Sequence, residues 1–152
     1  MGIQYYASPA TIGELLNLWE KEKQKNTSIL GGGTDLLVAI RKGILSPNSV
    51  LSLKNIKELK GIRLTKDFII IGSMVTHQEL SKSPIILEKL QCLAEASAQV
   101  GSPQIRNRGT IGGNIANASP AADTVPALLA LNSSIKIVGA GREQIIPLHS
   151  FF

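Results

Sequence analysis

The fold of this chain turns on one stretch, "TSILGGGTDLLVAIRKG", Thr27 to Gly43. A β-branched and apolar run enters three consecutive glycines, then Thr34-Asp35, then an apolar pattern of helical period. A tight strand-to-helix corner needs one glycine, or two. The third implies that something comes close to the backbone. A glycine turn opening a helix also exposes free N–H groups at the positive end of the helix dipole, which suits phosphate oxygens. The same turn read alone is equally a plain corner, so both readings stand at this point.

Outward from that stretch, the N-terminal side reads as β/α. "SPATIGELLNLWEKEKQ" predicts a helix with Ser8 as N-cap and Pro9 at its first position. Ile12, Leu15, Leu16 and Trp19 recur at i, i+3, i+4 and i+7 and form its apolar face, with Trp19 as a core residue. "EKEKQK", Glu20 to Lys25, reads as the solvated end of that helix. "TSIL" is a buried strand, "TDLLVAIRKG" a helix capped by Thr34 or Asp35 and stopped by Gly43, and "NSVLSL" a further strand. The linker falls near 55–60, dividing the chain into 1–55 and 56–152.

Beyond the linker the grammar is α+β. "GIRLT" and "FIIIGSMVT" flank Lys66-Asp67 as a hairpin. Thr76 and Glu79 form a capping box at the start of a short helix. Ser83-Pro84 opens a longer helix, "PIILEKLQCLAEASAQVG", ended by Gly101. A second glycine-rich segment, "RNRGTIGGNIANASPAAD", follows, then an apolar helix, "TVPALLAL", and two strand-like runs, "SSIKIVGAG" and "EQIIPL". In the glycine segment, hydroxyl and amide side chains alternate with Ile111 and Ile115, so one face packs while the other is free to hydrogen-bond. Asp123 is either the N-cap of the next helix or an acceptor for ligand hydroxyls. Arg106 and Arg108 flank the segment, facing phosphate, a partner's carboxylates or solvent.

Composition narrows the function. The chain has 152 residues, a net charge of +5, scattered basic residues and 4% aromatics, which argues against a base-stacking nucleic-acid surface. Its one cysteine, Cys92, excludes an internal disulfide and a Cys-ligated metal or iron–sulfur site, and its apolar helical setting predicts a buried thiol. His77 and His149 lack partners at metal-ligand spacing and read as surface or packing residues, so no metal site is expected. No signal peptide or long apolar run is visible, so the cytoplasm is the expected compartment. The G-x-G-x-x-G pattern fails at Leu36, and no P-loop lysine follows either glycine loop. No Ser-His-Asp or Cys-His arrangement can be assembled, so no catalytic side chain is expected.

The pairing of "ILGGGTDLL" with "GTIGGNIANASPAADTVPALLAL" resembles the FAD-binding subunit or domain of the molybdenum hydroxylases, the group of xanthine dehydrogenase and the medium subunits of carbon monoxide dehydrogenase. The resemblance runs from the first helix to the end. It implies an α+β, two-subdomain module that clamps FAD between its halves. Ile29, Leu30, Gly31, Gly32, Gly33, Thr34, Asp35 and Leu36 match the first FAD loop, with Gly32, Gly33 and Thr34 at the pyrophosphate. Thr110, Ile111, Gly112, Gly113 and Asn114 match the second, and Asp123 matches the acidic residue that bonds the cofactor's sugar or ribityl hydroxyls. The resemblance further implies a multi-subunit oxidoreductase. Substrate is oxidised at molybdopterin in a large subunit, and electrons pass through an iron–sulfur (2Fe-2S) subunit to FAD and on to an acceptor such as NAD. Family members continue beyond "IIPLHSFF" through more strands and a C-terminal domain, so a truncated product, a fragment or a split subunit is expected. A non-redox module for a nucleotide or phosphorylated ligand, and a flavin-free assembly subunit, are the rival readings.

Overall fold

The computed structural model describes residues 2–119, 121–139 and 141–152. Three short parallel strands form the first sheet: β1 (Tyr5–Ala7), β2 (Thr27–Leu30) and β3 (Ser49–Ser52), in the order β1-β3-β2. Their register pairs Tyr5 and Thr27 with Ser49, and Ile29 with Leu51. Central β3 is buried along its whole length, whereas β2 is half-buried and turns Ile29 to the surface. β1 is absent from the reading of the sequence. Three residues at a sheet edge, two of them exposed tyrosines, carry too little periodicity to be seen.

Helix α1 (Ile12–Glu22) crosses from β1 to β2 and packs on β3. It starts later than expected: Thr11, not Ser8, is the N-cap, accepting from the Glu14 amide. Its end is not simply solvated. Glu22 is buried, accepting from Ser49 Oγ at 2.8 Å and Lys25 Nζ at 2.9 Å. Those two hydrogen bonds hold its carboxyl below the usual range, Lys25 first and Ser49 second, against the opposing effect of burial. Helix α2 (Leu36–Arg41) follows the glycines and ends, as expected, before Gly43, whose φ is +71°.

The second part opens with the hairpin β4 (Ile62–Leu64) and β5 (Ile69–Ile71), closed by a Thr65–Phe68 backbone pair at 2.8 Å. Helix α3 (His77–Lys82) begins with the expected capping box, Thr76 and Glu79 each bonding the other's amide. The long helix expected after Ser83 is two: α4 (Pro84–Lys89) and α5 (Gln91–Gln99), broken where Leu90 leaves helical geometry. The break sends Ile86, Leu93 and Ala94 into one core with Val75, Leu80, Ile111, Leu128 and Leu148. Cys92 points outward and is exposed, contrary to the expected buried thiol. Trp19 is only half-buried.

The second glycine segment is mostly helical. A single turn, α6 (Pro103–Arg106), capped by Ser102, leads to Gly109, and α7 (Ile111–Asn117) starts after Thr110. The spacing of Ile111 and Ile115, four apart, is this helix's inward face, and the two glycines between them hid it. Then come α8 (Thr124–Ala130) and the antiparallel hairpin β6 (Ser134–Gly139) and β7 (Arg142–Pro147).

Candidate functional site

The two glycine loops meet. A cleft of about 450 Å³ lies between them, lined by Ile29, Gly31, Gly32, Gly33, Thr34, Asp35 and Leu36 on one side and by Gly109, Thr110, Gly113, Asn114, Ala116 and Asn117 on the other. Ala39, Leu45, His77, Val100 and Ile105 complete the wall. Of the residues that the resemblance places at the cofactor, Leu30, Ile111, Gly112 and Asp123 lie off this lining.

Each glycine of the first loop has its own cause. A Cβ on Gly32 would lie 2.7 Å from the carbonyl carbon of Arg108 and closer still to its oxygen. The neighbour that demands Gly32 is therefore the second loop's own backbone. Gly33 has φ +84°, a region that costs a side-chain-bearing residue free energy, and a Cβ there would also press on Leu37 and Leu30. A Cβ on Gly31 would meet Thr110 Oγ1 at 3.3 Å. Gly31 and Gly32 thus serve the approach of the second loop, and Gly33 the sharp turn.

That turn leaves a row of donors. Among the described residues, no protein acceptor takes the amides of Gly32, Gly33, Thr34, Asp35 or Leu36; the next, Leu37, returns to the Gly33 carbonyl at 3.1 Å. Successive amides around a positive-φ residue form a concave anion cradle, strengthened by the N-terminus of α2. Asp35 occupies the cap position of α2 without capping it; its carboxylate accepts instead from Thr34 Oγ1 at 3.0 Å.

The second loop is built the opposite way. The Ile111 amide donates to Val75 O and Gly112 to Ser73 O, both at 2.9 Å. Gly113 donates to Thr110 Oγ1 at 3.1 Å and Asn114 to Thr110 O at 2.9 Å. The first turn of α7 is thus satisfied internally. Gly112 packs on Ser73, whose Cβ and carbonyl oxygen lie 2.6 and 2.7 Å from where its own Cβ would be. Ile111 is a core residue, 4% exposed. This wall meets the cleft with buried Thr110, the exposed backbone of Gly113, and Asn114, whose Oδ1 accepts from buried Thr124 Oγ1 at 2.6 Å.

Asp123 precedes α8 but makes no side-chain cap bond, and it is exposed. Its charge reaches His77, which the sequence reading set aside and the fold buries at the cleft. Burial pushes the His77 imidazole below its ordinary value, and the Asp123 carboxylate partly opposes this. Arg106 is structural, its Nη1 donating to Val100 O and Gly101 O, both at 3.1 Å, while the Arg108 side chain is exposed. No group of three or more His, Cys, Asp or Glu residues that could hold a metal occurs among the described residues.

The arrangement sets amides that have no protein acceptor among the described residues against the Gly113 backbone and the Asn114 side chain, a setting that suits an anionic ligand. The sequence profile described as "FAD binding domain in molybdopterin dehydrogenase" matches residues 1–152. The nicotinate dehydrogenase FAD-subunit of Eubacterium barkeri is 35% identical over 147 residues, 97% of this chain and 50% of that protein. The carbon monoxide dehydrogenase medium chain of Hydrogenophaga pseudoflava is 33% identical, over 97% of this chain and 51% of its own length. A crystal structure of carbon monoxide dehydrogenase from the same organism superposes with a TM-score of 0.95 at 32% identity, covering all of this chain and 52% of that one. The chain spans about half the length of the curated relatives it matches.

Proposed function

Because the chain belongs to the family of FAD-binding domains in molybdopterin dehydrogenases, we propose that it holds FAD in the cleft between its glycine loops, as the electron-transferring part of a molybdenum hydroxylase complex. The observation that carries this reading is the row of amides from Gly32 to Leu36 at the cleft wall, without protein acceptors among the described residues. Amides fixed by a folded turn are already oriented for phosphate oxygens and need no reorganisation on binding. In this reading Gly32, Gly33 and Thr34 donate to the pyrophosphate, with Asp35 and Leu36 further along towards the flavin. Ile29, Leu30 and Gly31 deliver the turn from β2.

Thr110, Gly113 and Asn114 form the facing wall, and Ile111 and Gly112 hold that wall to the core from behind. Asp123, uncommitted as a cap, accepts from the cofactor's sugar or ribityl hydroxyls. The parts 1–55 and 56–152 act as two subdomains that grip the cofactor between them. When bound, FAD supplies the redox chemistry, taking up electrons and releasing them to an acceptor. The protein's contribution is binding and orientation.

The complex this implies includes an iron–sulfur (2Fe-2S) subunit, a molybdopterin-binding large subunit and an acceptor such as NAD. The single cysteine of these 152 residues agrees with clusters held elsewhere. No helix among the described residues is long and apolar enough to cross a membrane.

The test is the absorbance of the purified protein, alone and after incubation with FAD, for the wild type and Gly33→Val. The wild type retains a flavin band on gel filtration. The variant loses it while keeping its far-UV circular dichroism, because valine at positive φ distorts the cradle. A bound colourless nucleotide would point instead to a non-redox module, and no retained ligand to a flavin-free assembly role.

A further inference from the structure

His77 stands where the two loops meet, although its spacing from other residues pointed to no site. Its amide donates to Gly109 O at 3.1 Å, and Thr76 bridges Thr110 in antiparallel fashion, so residues 76–77 run beside 109–110. His77 is 2% exposed, and its ring packs on Gly109: a Cβ there would be 3.1 Å from His77 Cδ2 and 3.5 Å from Nε2. The Gly109 Cα also lies 3.0 Å from where a Gly32 Cβ would be. The Gly109 backbone is therefore in close contact with the imidazole and with the first loop alike. No hydrogen bond fixes the ring: Nδ1 is buried and unpartnered among the described residues. Packing is what ties it to the loop.

We infer that His77 is a positioning residue for the cofactor, its ring acting through Gly109 to hold the second glycine loop against the first. The inference rests on the FAD reading of the cleft. Close-packed layers transmit the loss of one member, so removing the ring frees Gly109 and the cradle wall that leans on it. The unpartnered nitrogen adds nothing to that role, so an apolar ring of similar breadth serves in its place.

The experiment compares wild type, His77→Ala and His77→Phe by FAD titration, following flavin fluorescence, and by amide hydrogen exchange without ligand. His77→Ala should weaken FAD binding roughly tenfold or more through lost preorganisation, and His77→Phe should stay within roughly threefold of wild type. In the ligand-free protein, the Ile111 and Gly112 amides should exchange faster in His77→Ala and not in His77→Phe. Wild-type affinity in folded His77→Ala would overturn the inference. So would equal weakening in both variants, which would show that the ring acts through its nitrogens. If the wild type binds no FAD, the reading of the cleft fails, and unchanged exchange in His77→Ala would then sink the positioning role as well.

Discussion

The two glycine loops look alike in sequence and are built on opposite plans. In the first, the amides of residues 32–36, which line the cleft, have no protein acceptor among the described residues. In the second, the amides of residues 111–114 are all consumed by Val75, Ser73 and Thr110. The glycines differ in cause as well. Gly33 answers to backbone conformation, whereas Gly32 and Gly112 answer to neighbouring main chain. Glycine content reports that something is near; only the neighbour's identity says whether it is ligand or protein. One wall leaves its amides without acceptors among the described residues, and the other spends them within the protein.

The contrast can be broken most forcefully at Gly32. Gly32→Ala drives a methyl into the Arg108 carbonyl, and two backbones cannot yield as a side-chain tip would. The expected loss is about 3 kcal/mol, the upper part of the range for overpacking, with FAD retention lost as well. Chemical denaturation and flavin retention measure the two together. A stable variant with intact binding would show that the loops need not touch.

Gly112→Ala sharpens the same contrast from the other side. Alanine gains up to about 1 kcal/mol of helix propensity over glycine. The clash with the Ser73 backbone should outweigh this, leaving a net loss of about 1–2 kcal/mol. Because its amide is already engaged, Gly112 should affect FAD mainly through the fold. Flavin affinity of the folded fraction, measured at low temperature, should fall much less than for Gly32→Ala.

Asp123→Asn separates charge from capping. The carboxylate makes no cap bond, so the ligand-free melting temperature should hardly move. FAD affinity should fall by roughly 1.5–3 kcal/mol if the carboxylate takes a cofactor hydroxyl. Removing its charge also removes the influence that raises the His77 value, so the imidazole should titrate at lower pH still. NMR titration of the histidine ring reads this directly.

The smallest effects are in the pH dependence. The folded pKa of His77 lies below its unfolded one, so the unfolded chain binds more protons in the interval between them. The stability that goes with a neutral ring is complete above the unfolded value and is lost as pH falls towards the folded one. Glu22 behaves in the same sense at lower pH: its lowered value stabilises the fold above the ordinary carboxylate range and is lost on further acidification. His77→Phe should flatten the first loss and Glu22→Gln the second, in denaturation midpoints followed across pH.

Much of this molecule was legible before any coordinates. The strand, glycine turn and helix from Thr27 to Gly43, the Thr76 capping box, the first hairpin and the two last strands all announce themselves, because caps, turns and short-range periodicity are local chemistry. The family resemblance rested on the same local signatures. Other elements were hidden for physical reasons. β1 is short and exposed, α7 carries two glycines that depress its apparent propensity, and the kink at Leu90 follows from what α4 and α5 must pack against. Burial of Glu22 depends on Ser49, 27 residues away.

By itself, then, the sequence determined where the chain turns and which two loops carry glycine in the pattern of an FAD-binding family. Only the tertiary structure decided which loop leaves its amides without acceptors among the described residues, which one consumes them, and that His77 lies against Gly109. Amide satisfaction and steric contact depend on partners distant in sequence. Those partners, Ser73 for Gly112, Arg108 for Gly32 and His77 for Gly109, are brought within reach only when the core closes.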